Sequence, residues 1–142
     1  MLCPDNVNLM KDFILEPKDD ALAIECRDGS ISMHGNSILA YPRKFFQPVM
    51  DWVTAYVNQP ADRTDVVLRF DYIDTASVQS VFDILKLLKK IPDYEDSVLV
   101  NWYFEFDDPE LLEVGEIMEA RLKLKFNFVE YKKKGDEEEE AN

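Results

Sequence analysis

Apolar and polar positions alternate along several short runs of this chain and switch to helical spacing between them. In Ala21–Arg27, Leu22, Ile24 and Cys26 fall on one side, the period of a half-buried strand. Asp28-Gly29 supplies a hairpin turn, and Ser30–His34 returns with Ile31 and Met33 inward, so these two strands are expected to pair antiparallel. Phe45, Val49, Trp52, Val53 and Tyr56 recur at helical spacing and predict a first helix over Pro42–Asn58, closed by Pro60 and the polar stretch to Thr64. Asp65–Tyr72 alternates again, with Val66, Leu68, Phe70 and Tyr72 on one face and Val67, Arg69 and Asp71 on the other. A second helix is expected over Thr75–Lys90, carrying Val78, Val81, Phe82, Leu85 and Leu88. Val98–Phe104 forms a fourth strand with Val98, Val100, Trp102 and Phe104 on its apolar side. Asp108-Pro109 then opens a third helix, with an acid at the N-cap and proline at the first helical position. Phe126–Tyr131 is the last strand.

The expected order is ββαβαβαβ. Repeated βα units favour parallel pairing through right-handed crossovers, which place the helices on one side of the sheet. Strands covered on both faces would read almost continuously apolar, so the alternation leaves the other face partly polar and open. The expectation is an α/β domain of two layers with a mixed sheet. The 142 residues make one domain's worth of chain: a lead-in over 1–20, a folded unit over 21–131 and a charged tail over 132–142.

Charge narrows the partners. With 29 acids against 16 bases the formal net charge is −13, which argues against nucleic acid and favours a basic protein surface. The tail KKKGDEEEEAN carries three positive and five negative charges, so without it the rest still stands at −11. No stretch approaches the roughly 20 apolar residues of a membrane helix. The N-terminus lacks the basic start and apolar run of a secretory signal, so a cytoplasmic location is expected. Cys3 and Cys26 show no metal-ligand spacing and read as reduced thiols without a chemical role.

An enzyme reading finds little to stand on. The single histidine, His34, sits beside Met33 in a strand, and four glycines at 29, 35, 115 and 135 make no phosphate loop. No G-x-S-x-G elbow appears. Glu105, Asp107, Asp108 and Glu110 do not follow the spacing of a calcium loop, and Asp108 has a cap to make. A phosphoaccepting aspartate at Asp71 or Asp74 would need Mg²⁺ held by further acids at another strand end, whereas the early strands end in Arg27 and His34-Gly35. No catalytic residue, metal or cofactor is therefore expected.

The junction Asp71-Tyr72-Ile73-Asp74-Thr75-Ala76-Ser77, where a strand gives way to a helix, holds the remaining chemistry. Asp74 or Thr75 can cap the second helix, a contribution of about 1 kcal/mol. Free N–H groups and the helix dipole also favour an anion there. A phosphothreonine at this place would add about −1.5 to −2 charge without melting the helix, though Asp71 and Asp74 would repel it.

The chain resembles the SiaC family of bacterial regulatory phosphoproteins, small STAS-like domains akin to anti-sigma-factor antagonists of the SpoIIAA type. The resemblance spans about Leu22 to Val129. It rests on Gly35-x-Ser37, Phe45-Phe46-Gln47-Pro48-Val49 with Trp52-Val53, and Tyr72-Ile73-Asp74-Thr75-Ala76-Ser77. It continues through Val100-Asn101-Trp102-Tyr103 and Asp107-Asp108-x-Glu110-x-Leu112-Glu113-x-Gly115-Glu116. The resemblance implies a non-enzymatic partner-switching adaptor of cyclic di-GMP signalling and biofilm regulation. Thr75 would be phosphorylated by a dedicated Ser/Thr kinase and dephosphorylated by a PP2C-type phosphatase, with Ser77 as the alternative acceptor. The unphosphorylated form would bind and activate a diguanylate cyclase or another output protein through Tyr72, Asp74, Thr75, Ala76, Ser77 and Gln79. In that family the segment before the first helix reads Ser-Tyr-Pro-Glu-Asn, compared here with Ser37–Tyr41, and an asparagine stands where this chain has Asp74. The rival readings are a constitutive interaction module on the same fold and a small acid-based or metal-assisted enzyme.

Overall fold

The computed structural model describes residues 11–17 and 21–132; Cys3 and the tail beyond Lys132 lie outside the described residues. Six strands form one mixed sheet in strictly sequential order: β1 (Phe13–Leu15), β2 (Ala23–Arg27), β3 (Ser30–Ser37), β4 (Thr64–Ile73), β5 (Val98–Glu105) and β6 (Lys125–Tyr131). β1, β2 and β3 are antiparallel neighbours, and β3 to β6 run parallel. Between the parallel strands lie α1 (Pro42–Tyr56), α2 (Thr75–Leu87), the short α3 (Tyr94–Ser97) and α4 (Pro109–Leu122). A single 3-10 turn, Leu88–Lys90, extends α2. β1 and α3 are additions to the expected order; each is too short to carry a legible period.

The period-2 residues do what their spacing predicts. Leu22, Ile24, Cys26, Ile31, Met33, Val66, Leu68, Val100 and Trp102 are buried in one core with the inner faces of α1, α2 and α4. Gly29 turns the β2–β3 hairpin at φ 84, a conformation that favours glycine, and its carbonyl accepts from the Asp65 N–H at 2.9 Å. In α1 the buried stripe runs through Phe46, Val49, Trp52, Val53 and Tyr56, while Phe45, expected inward, is half-buried and meets the Phe46 ring edge-on. The Tyr56 hydroxyl ties the end of α1 to the start of β4 through Thr64 Oγ1 at 2.7 Å and the Ala61 N–H at 3.2 Å.

One departure shapes the site. β3 and β4 pair Gly35 with Phe70 but Asn36 with Tyr72, so Asp71 is an extra residue and the ladder carries a bulge there. Gly35 takes φ 124 at this point. The bulge resets the alternation: Tyr72, expected in the core, faces solvent, and Ile73 is half-buried instead.

The opposite face of the sheet has no helix over it among the described residues. Arg69 lies 4.2 Å from the centre of the Tyr131 ring and 6.0 Å from that of Tyr103. Asn127 donates to Asn101 at 3.1 Å, and Asn101 to the Val66 carbonyl at 3.2 Å.

Candidate functional site

Because β3 to β6 are parallel, their C-terminal ends gather the starts of α1, α2 and α4 along one edge of the sheet. α2 begins at Thr75, and Asp74 is its N-cap in extended conformation. One carboxylate oxygen of Asp74 accepts the Ser77 N–H at 2.8 Å, and the other accepts the Leu39 N–H at 3.3 Å. The Asp74 N–H donates to the Ser37 carbonyl at 3.0 Å, so the cap also clamps the loop after β3 to the start of α2. The Ser77 hydroxyl, the largest cause, holds the Asp74 carboxyl below its usual value; the Ser77 and Leu39 N–H groups help, and partial burial opposes them.

A pH dependence follows. A depressed carboxyl contributes stability that is present above its unfolded pKa, about 3.9, and is lost as pH falls through its lower folded value. Asp74→Ala is expected to cost about 1 kcal/mol near neutral pH, while Asp74→Asn keeps most of the cap. Thermal midpoints between pH 7 and pH 3 check this: the gap between wild type and the Ala variant should narrow on the acid side.

The expected site residues do not share one environment. Thr75, Ala76 and Gln79 are exposed at the first turns of α2, Tyr72 is exposed just before them, and Asp74 is half-buried. Ser77 is fully buried, and its one hydroxyl proton is shared between the Asp74 carboxylate and the Ser37 carbonyl 3.4 Å away. In contrast to Thr75, Ser77, the alternative acceptor, therefore presents no side-chain surface at this edge. Its spacing with Val81, Ile84 and Leu88 puts it on the inner stripe of the helix.

Two groups at this edge were not anticipated from the sequence. Ile38 (66% exposed) and Tyr41 (75%) project from the loop after β3, and Tyr72 (53%) is exposed near the end of β4. Arg43 and Lys44 occupy the first turn of α1, which contains no acid. They line a groove of about 550 Å³ together with Ala40, Tyr41, Pro42, Ala76, Gln79, Ser80 and Asp83. Cations at the positive end of a helix are on the unfavourable side of its dipole. That misplaced pair of charges was the available signal.

Among the described residues, no group of three or more His, Cys, Asp or Glu side chains comes together as a metal site. Glu105, Asp107, Asp108 and Glu110 stay a surface run in which Asp108 caps α4 through the Leu111 N–H at 3.0 Å. Cys26 is buried in the core, and burial pushes its thiol up to about 12. No helix of the described residues is long and apolar enough to cross a membrane.

A family model described as SiaC family regulatory phosphoprotein matches residues 17–131. This chain belongs to the SiaC family. Apo-SiaC from Pseudomonas aeruginosa matches the SiaC-family fold seen here with a TM-score of 0.73 at 24% identity, over 84% of this chain and 99% of that one. A second structure, diguanylate cyclase SiaD in complex with its activator SiaC from the same organism, gives 0.73 at 22%, over 84% and 100%. A third, SiaC of Pseudomonas aeruginosa, gives 0.68 at 27%, over 86% and 100%. An uncharacterised protein of strain UCBPP-PA14 is 27% identical over 88 residues, 62% of this chain and 70% of its own length.

Pro42 is the first residue of α1 and follows Tyr41.

Proposed function

We propose that this SiaC-family protein is a non-enzymatic regulatory phosphoprotein of the cytoplasm, with a STAS-like fold, reversibly phosphorylated on Thr75. A Ser/Thr kinase would add the phosphate and a PP2C-type phosphatase remove it. The unphosphorylated form would bind an output protein, such as a diguanylate cyclase, and so act in cyclic di-GMP signalling and biofilm control. The observation that carries this reading is the setting of Thr75: an exposed residue at the first position of α2, directly after the Asp74 cap that fastens the loop following β3. The complex of SiaC with the cyclase SiaD, whose SiaC shares this fold, supports the choice of output. The apolar side chains of Ile38, Tyr41 and Tyr72 would also serve a constitutive interaction module that carries no phosphate, because they are exposed without any modification.

Intact-mass measurement after incubation with the cognate kinase and ATP separates the two. Wild type should gain one phosphate, whereas Thr75→Ala should fold normally and gain none. A phosphate on the Ala variant would overturn the assignment of the site, and an unmodified wild type would leave the constitutive module.

A further inference from the structure

We propose that Arg43 and Lys44 are a binding site for the phosphate on Thr75, an inference that rests on the phosphorylation reading above. Both cations sit in the first turn of α1, and neither has an ion-pair or hydrogen-bond partner among the described residues. They line one groove with Ala76, the residue after Thr75. The loop that carries Ile38–Tyr41 into α1 is fastened to the cap of α2 by the Leu39 N–H to Asp74, which keeps the two helix starts together. Two helix N-termini and two unpaired cations thus converge at one corner of a protein whose net charge is −13.

Both side chains are exposed, so the arrangement is mildly unfavourable without an anion. Cations in a helix's first turn oppose its dipole, and α1 has no acid there to offset them. The other charged groups at this corner are Asp71 on β4, Asp74 at the cap, Asp83 on α2, and Asp108 and Glu110 of the start of α4 beyond Tyr72. The Asp74 carboxylate is engaged by the Ser77 and Leu39 N–H groups. A dianionic phosphate on Thr75 meets repulsion from Asp71 and Asp74, and Arg43 and Lys44 are the groups able to answer it. Bound there, the phosphate neutralises the cationic wall of the groove and stands across its Ala76 end. Phosphorylation then removes from a partner both an exposed hydroxyl and the cationic groove beside it.

The test uses full-length protein with phosphothreonine installed at position 75 during translation, so that no kinase is needed. The probe is the ³¹P resonance of that residue, titrated from pH 4.5 to 8 in wild type and in Arg43→Ala/Lys44→Ala, with matching circular dichroism as the check on folding. The wild-type phosphate should titrate lower than that of the double variant by about half a pH unit or more. Arg43→Lys should retain most of the difference, and 1 M salt should shrink it. Coincident titrations in wild type and double variant would overturn the site. That result would leave kinase recognition of Thr75 untouched, and failure of a kinase to modify Thr75 would leave this measurement standing.

Discussion

Protein phosphorylated on Thr75 is expected to bind its output partner at least about a hundredfold more weakly than unmodified protein, a difference of about 2.8 kcal/mol. A mark shifts an equilibrium only by its differential interaction with the two states. In the free protein the phosphate stands on an exposed residue at the positive end of α2, so folding has little to lose. In a complex that covers Tyr72, Thr75 and Ala76, the same dianion would be stripped of water, at a cost of several kcal/mol unless the partner pairs it. Thr75→Glu, with a single charge, should keep the circular dichroism of wild type and lose part of the affinity. Calorimetric titration of a diguanylate cyclase partner into the three forms measures this, and equal affinities would reduce the Thr75 junction to a helix cap.

Gly115→Ala is expected to destabilise the protein, against the direction that helix propensity alone gives. Replacing glycine by alanine inside an exposed helix gains about 1 kcal/mol. Here the added Cβ would lie 2.6 Å from Nε1, 2.7 Å from Cδ1 and 2.8 Å from Cε2 of Trp102. The indole cannot yield cheaply. It is wholly buried between the rings of Phe70 and Phe126, and its N–H donates to the Leu111 carbonyl at 3.1 Å. Overpacking costs about 1–3 kcal/mol, and displacing the indole N–H from its partner adds about 1–3 kcal/mol more. Packing wins, and the net loss of about 1–5 kcal/mol should lower the thermal midpoint by roughly 3–20 °C. Trp102→Phe in the Gly115→Ala background removes the crowded atoms, so the two changes should combine less than additively. A midpoint unchanged or raised in Gly115→Ala would show that α4 can shift away from β5.

Most of this fold was legible because its information is periodic and local. Strict alternation marks β2, β4 and β5, the Asp28-Gly29 turn marks the hairpin, and Asp108-Pro109 marks the start of α4. Tyr72 was misplaced because its alternation looks unbroken in one strand. The extra residue, Asp71, exists only relative to the partner β3, and pairing is not a property of a single segment. The same distinction divides the site. Thr75 and its cap form one continuous stretch and could be read as such, whereas Arg43, Lys44, Ile38 and Tyr41 come from some thirty residues earlier and arrive through parallel pairing. Ser77 shows the converse: its stripe with Val81, Ile84 and Leu88 was visible in the sequence and was outweighed by its nearness to Thr75.

The sequential strand order has a bearing on how the chain reaches this state. No later strand is threaded between two earlier ones; each new strand adds to the growing edge laid down by its predecessor. Loop closures are therefore confined to single βαβ units, which keeps the contact order low for a largely parallel sheet and the barrier to folding correspondingly small. On a ribosome the domain can extend from β1 toward β6 as residues emerge, with a growing edge exposed at each stage opposite β1. β5 remains such an edge until the whole of α4 and β6 has been made. β3 and β4 wait through longer crossovers than β5 does, so a nascent chain is open to pairing with another at each of these stages.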